Sequence, residues 1–137
     1  MKVVVDTNVI AYYILGTKPY CNECSVFFHT TTDLLAPSSW QAELTNVLWL
    51  SVMHGVFDAA EGIECLRLAN SLGICSIAPA AIWQGALARA VTYKHPAYDT
   101  LFIELAVREG CKLATFDQRL IELFPAIACR PHELNEK

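Results

Sequence analysis

Lys2-Val-Val-Val-Asp6-Thr-Asn8 opens the chain and decides its fold. Val3 to Val5 are β-branched and apolar, with no alternation of polar residues. A run of that kind over 2–5 reads as a strand buried on both faces, as in a parallel sheet. Asp6 bounds it. Downstream, apolar spacing predicts helices over 9–15, stopped near Gly16 and Pro19, and over 21–30. Leu34 to Pro37 reads as a second strand. Ser38 or Ser39 is placed to cap a helix whose apolar positions Trp40, Leu44, Val47, Leu48 and Val52 keep helical spacing.

Asp58 caps a further helix running to about Leu72 and ended by Gly73. Residues 74–78 form a third strand candidate. Helices follow over 80–93, stopped by His95-Pro96, and over 98–109, stopped by Gly110. Then come a strand over 112–116, a short helix over 118–124 and a last edge strand over 126–129. Strands alternating with helices imply an α/β fold of three layers, a central mostly parallel sheet with helices on both faces. The reading is one domain, 1–131, with 132–137 as a frayed tail.

Bulk properties agree with a packed domain. The 137 residues are 54 % hydrophobic with a mean hydropathy of +0.33, which excludes a disordered tail. The longest apolar stretches are about ten residues, too short for a bilayer span. The start lacks a basic segment followed by a long apolar one, so no signal peptide is expected and the protein reads as cytoplasmic. Net charge is −4, from ten bases and fourteen acids. That argues against broad, non-specific nucleic-acid binding through a basic face. Cys21, Cys24, Cys65, Cys75, Cys111 and Cys129 read as reduced. Cys21-x-x-Cys24 has no second pair to complete a zinc ribbon and follows a loop, so both read as small apolar residues at a helix start.

Four carboxylates stand at, or just after, strand–helix breaks: Asp6, Glu43, Asp99 and Asp117. Ligands of open α/β sheets bind at the carboxyl ends of the strands. Acids gathered there repel one another, and a bound cation relieves the repulsion. A hard cation such as Mg²⁺ takes oxygen ligands of this kind. Asn8 and Thr115 are polar neighbours able to support the ligands. Taken singly, Asp6, Asp99 and Asp117 also read as turn or cap residues. Glu43 is harder to read so, because Trp40, Ala42, Leu44 and Val47 surround it. Glu104, on the helix of Asp99, stays outside the primary set.

Val3-Val-Val-Asp6-Thr-Asn-Val-Ile resembles the first strand of PIN-domain nucleases, particularly the VapC-type toxins. Tyr98-Asp99-Thr-Leu-Phe-Ile-Glu-Leu-Ala106 and Leu113-Ala-Thr-Phe-Asp117-Gln-Arg-Leu120 resemble that family's closing signature. Trp40-Gln-Ala-Glu43-Leu is similar to its central acid-bearing helix. The resemblance implies a PIN-like fold and a Mg²⁺- or Mn²⁺-dependent endoribonuclease acting on RNA. It implies that Asp6, Glu43, Asp99 and Asp117 bind the metal and carry catalysis. It also implies a toxin held inactive by a cognate antitoxin, and a homodimer.

Arg89, Lys94, His95 and Arg119 flank the acid-bearing segments as a candidate substrate-binding rim. His95 precedes Pro96 in a loop and reads as a surface residue, not a general base. Tyr98 and Trp40 read as packed aromatics, with stacking on bases as the other role. Tyr12, Tyr13, Ile14, Leu15, Val26, Phe27 and Phe28 are expected to leave apolar surface for the dimer. Two other readings stand beside the nuclease. One is a catalytically inactive PIN-like protein-binding module. The other is a response-regulator-like phospho-acceptor domain, which would want an acidic pair after the first strand and a Lys after the last.

Overall fold

The structure, a computed structural model, describes residues 1–134. Its centre is a sheet of five parallel strands: β1 (Lys2–Val5), β2 (Asp33–Pro37), β3 (Cys75–Ile77), β4 (Lys112–Ala114) and β5 (Ala128–Cys129). Their order across the sheet is β3-β2-β1-β4-β5. The sheet is therefore parallel throughout rather than mostly so. Seven helices surround it: α1 (Thr7–Leu15), α2 (Cys21–Thr30), α3 (Ser39–Met53), α4 (Ala59–Asn70), α5 (Trp83–Tyr93), α6 (Ala97–Glu109) and α7 (Gln118–Leu123). This is the expected three-layer α/β arrangement.

The opening valines explain the centre. Val4 pairs with Leu35 on one side and Leu113 on the other, and Val3, Val4 and Val5 are fully buried. A strand covered on both faces needs this continuous apolar run. Helix α6 packs on β1, β2 and β4 through Phe102, Ile103, Leu105 and Ala106, all buried. The chain starts in mid-sheet, builds outward through β2 and β3, then crosses to β4 and β5. The order reverses between β1 and β4, and ligands of parallel sheets bind at such a point. The backbone N–H of Asp6 donates to Ala114 O at 3.0 Å, tying the carboxyl ends of these two strands together.

Several boundaries move. Helix α1 begins at Thr7, not Val9, because Asp6 is its N-cap and accepts from the Thr7 N–H. Helix α6 begins at Ala97 with Pro96 as N-cap, which puts Asp99 inside its first turn. Strands β3, β4 and β5 are shorter than expected, and a 3-10 turn over Pro79–Ala81 precedes α5. Ser38 makes no capping bond to α3. Asp58 does cap α4, in a reciprocal box with Glu61. The expected tail from His132 is corrected in part. Pro131–Leu134 form a 3-10 turn with Pro131 and Leu134 buried, held by His132 and Arg130 against Glu23 of α2. Residues 135–137 of that tail lie outside the described residues.

The apolar surface also differs from expectation. Phe27 is fully buried, and Tyr12, Tyr13, Ile14, Leu15 and Phe28 pack against the core, because α1, α2 and the C-terminal turn cover one another. Of that set only Val26 is exposed. The large exposed apolar side chains lie instead on and after α3 and α4 (Trp49, Met53, Val56, Ile63) and on α5 (Trp83, Leu87, Val91).

Candidate active site

Asp6, Glu43, Asp99 and Asp117 line one cleft of about 350 Å³ at the point where the strand order reverses. Thr7, Asn8, Ala11, Tyr12, Leu15, Thr17 and Val47 complete its wall. Four elements converge. Asp6 caps α1, Glu43 projects from the second turn of α3, Asp99 from the first turn of α6, and Asp117 caps α7.

Asp6 is held most tightly and is only 6 % exposed. Its Oδ1 accepts from Thr7 N at 2.7 Å, and its Oδ2 accepts from Thr115 Oγ1 at 2.7 Å and Asn8 Nδ2 at 3.4 Å. Thr115 Oγ1 in turn accepts from Asp117 N at 3.0 Å and from Asn8 Nδ2 at 3.3 Å. Asn8 Oδ1 accepts from Phe116 N at 3.2 Å. Asn8 and Thr115 therefore lock the end of β1 to the loop after β4. Asp117 Oδ1 accepts from Arg119 N and Leu120 N. Its cap role and its place in the cleft are one arrangement, not alternatives.

Glu43 is bound less completely. Thr7 and Ser39 lie beside its carboxyl and favour the charged form. Yet Glu43 Oε1, Thr7 Oγ1 and Ser39 Oγ are buried without a well-formed hydrogen bond. The Glu43 carboxyl is thus held by contacts of imperfect geometry and has room for a further partner.

The charges interact as the cleft demands. Burial lifts the Asp6 carboxyl from 3.8 to about 7; the Thr115 bond opposes this, and Asp99 and Glu43 add to it. Burial raises the Glu43 carboxyl, reinforced by Asp99. Burial also raises Asp99, with His95 opposing and Asp117 adding. Asp99 thus interacts with each of the other three acids.

His95 is misplaced by the sequence. Its side chain is only 9 % exposed, and its Nε2 lies 2.8 Å from Asp99 Oδ2. The loop turns inward because Lys94 caps α5 in the left-handed conformation (φ 53°) and Pro96 starts α6. The spacing of four between His95 and Asp99 was the available signal. One donor atom each from His95, Asp99 and Asp117 lies within 4.8 Å of the others. Asp6 and Glu43 stand outside this tightest group.

The rest of the expected rim divides. Lys94 and Arg119 are exposed. Arg89 is committed to Glu104, with Nε donating to Oε2 at 2.8 Å. Glu104 is therefore paired across the α5–α6 seam. Trp40 is a core residue whose Nε1 donates to Ser76 Oγ at 2.9 Å. Tyr98 is not packed as expected: it is 72 % exposed and shares a groove with Ala42, Glu43, Asn46 and Val47. The six cysteines are free, and burial pushes the Cys24 thiol up to about 12, leaving it an apolar group.

Residues 3–124 match the family model described as PIN domain. The chain is also 29 % identical over 132 residues to Ribonuclease VapC3 of Pyrobaculum aerophilum, an alignment covering 93 % of this chain and 98 % of that protein.

Proposed function

Because the chain belongs to the PIN-domain family, we propose that it is a divalent-cation-dependent endoribonuclease that hydrolyses phosphodiester bonds of RNA. The observation that carries this reading is the convergence of four carboxylates in one cleft, three of them with raised pKa values. Such a cleft is electrostatically strained without a cation and relieved by one. The buried, unpaired Oε1 of Glu43 fits the same need. Asp6, Glu43, Asp99 and Asp117 would hold Mg²⁺ or Mn²⁺, directly or through water. When bound, the cation offsets charge developing on a phosphate and acidifies water.

The chain's own residues prepare the cleft for this. Thr115, Asn8 and the Thr7 N–H fix both oxygens of Asp6. The first helix turns fix Asp117 and Asp99. Tyr12, Leu15 and Val47 wall the cleft with apolar atoms, which strengthens the electrostatics inside. Lys94 and Arg119, both exposed, supply positive charge for flanking RNA phosphates. The phospho-acceptor alternative finds no support here, since Asn8 is committed to Thr115 and Phe116 and the loop after β4 carries no Lys.

The name of the Pyrobaculum relative supports a toxin reading: a cytoplasmic ribonuclease paired with a protein antitoxin. An inhibitor placing an Arg or Lys among the four carboxylates would satisfy the same cluster without a cation. The exposed apolar side chains of α3, α4 and α5 offer room for that partner and for a second copy of the chain. Among the described residues no helix is long and apolar enough to cross a membrane.

Incubation of the purified protein with a panel of cellular RNAs tests the activity. Cleavage is expected with Mg²⁺ or Mn²⁺ and none in EDTA. Undiminished cleavage in EDTA would sink the mechanism. Light scattering at roughly twice the 15.2 kDa chain mass is expected for the dimer, and a monomer at high micromolar concentration would defeat it.

A further inference from the structure

Resting on the reading of the cleft as a divalent-cation site, we propose that His95 is itself a ligand, making the site a mixed nitrogen–oxygen one that favours Mn²⁺ over Mg²⁺. The four acids alone make an all-oxygen site, which suits Mg²⁺. His95 adds a borderline-soft nitrogen at its edge.

The geometry points this way. Donor atoms of His95, Asp99 and Asp117 lie within 4.8 Å of one another. An octahedral shell with ligands about 2.1 Å from its centre has neighbouring donors about 3 Å apart and opposite ones about 4.2 Å apart. The 2.8 Å between His95 Nε2 and Asp99 Oδ2 fits two neighbouring positions of such a shell. The imidazole is also pre-placed. It is almost fully buried, and it stands between a left-handed Lys94 and the ring-locked backbone of Pro96. Its carboxylate partners are anchored in the first turns of two helices, with Asp117 Oδ1 held by the Arg119 and Leu120 N–H groups. Little side-chain freedom remains to be lost when the three donors close on an ion.

Imidazole nitrogen raises affinity for transition-metal ions, Mn²⁺ least among them, more than for Mg²⁺, which prefers oxygen and retains its waters. The competing role is that His95 only donates a hydrogen bond to Asp99 and orients it. The two roles predict different metal selectivity. An orienting histidine serves both cations alike, whereas a nitrogen ligand serves Mn²⁺.

The test titrates the full chain with Mn²⁺ alone and Mg²⁺ alone, and records the electron spin echo envelope modulation of the bound Mn²⁺. The wild-type protein is expected to show nitrogen-14 coupling from a directly bound imidazole. His95→Gln, which still donates a hydrogen bond toward Asp99, is expected to lose that coupling. It should also bind Mn²⁺ more weakly, with Mg²⁺ affinity changed less. Bound Mn²⁺ without nitrogen coupling in the wild-type protein would overturn the inference while leaving the cation site intact. Equal loss of both cations in His95→Gln would likewise make His95 a positioning residue. Absence of binding by either cation would overturn the cation reading of the cleft itself. Should the variant fail to fold, the wild-type spectrum still carries the test.

Discussion

Replacing Asp6 by asparagine should make the cation-free protein more stable at neutral and alkaline pH, and not at pH 4. Asp6 ionises near 3.8 in an unfolded chain and near 7 in the folded one, chiefly because burial disfavours its charge. The folded state therefore holds a proton that the unfolded state has released. Stability contributed at this site is undiminished below about pH 4, falls as pH rises toward 7, and stays low above that. A difference of about three pKa units corresponds to roughly 4 kcal/mol against the folded wild type at pH 8. Asparagine carries no charge and escapes this term.

It brings a smaller loss of its own. Asp6 Oδ1 faces the Thr7 N–H and Oδ2 faces the Thr115 hydroxyl, so both oxygens accept. The Thr115 oxygen already accepts from Asn8 and Asp117. An amide NH₂ in either orientation therefore meets a donor or a filled acceptor, at a loss of about 1 kcal/mol. The variant should be level with the wild type or about 1 kcal/mol weaker at pH 4, and about 3 kcal/mol stronger at pH 8. Urea unfolding in EDTA reads this as a midpoint raised by roughly 1–2 M at pH 8. Divalent cation should then stabilise the wild type by mass action and the variant much less. A variant weaker at pH 8 by the same margin as at pH 4 would refute the reasoning, and would make Asp6 a helix cap rather than a strained charge.

Glu43→Gln should abolish RNA cleavage without lowering the cation-free melting temperature at pH 8, because burial already disfavours the Glu43 charge; a clear fall would mean the carboxylate is structural. Gly85→Ala should destabilise the protein by about 1–3 kcal/mol, since a Cβ there would run into the Glu104 carboxyl while Arg89 holds that group in place; urea unfolding checks it, and a neutral result would show that the α5–α6 seam can shift. The reduced protein should fold without zinc, because among the described residues the group of donors close enough to hold a metal is His95, Asp99 and Asp117 and includes no cysteine; stoichiometric zinc after metal-free purification, lost in Cys21→Ser, would contradict this.

The elements most legible in the sequence are those whose pattern has one physical cause. Val3 to Val5 read as a doubly buried strand because nothing else needs three consecutive β-branched residues, and they lie at the sheet's centre. Asp6 and Asp117 read as one cleft because each closely follows a strand, and chain direction in a parallel sheet gathers such ends; Glu43 and Asp99 join them from the early turns of α3 and α6. His95 was illegible for the opposite reason. A histidine before Pro-Ala-Tyr looks like loop, and only the left-handed turn at Lys94 aims it inward. That turn is set by how α5 meets α6, through Thr100 Oγ1 donating to Ala86 O at 2.7 Å and through the Arg89–Glu104 pair in the space left by Gly85. Local sequence does not encode such a meeting, since its partners are about fifteen residues apart and polar. Arg89 illustrates the same limit. Its charge suggested a role toward RNA, yet the seam consumes it.

Tyr98 errs the other way. Its aromatic ring predicts burial, but the first turn of α6 must aim Asp99 into the cleft, and the neighbouring position on that turn is left facing outward. The exposed ring is a consequence of placing the acid. Two of the positions sequence misjudges, His95 and Tyr98, lie within four residues of Asp99, and their orientation follows from how the start of α6 aims that acid into the cleft.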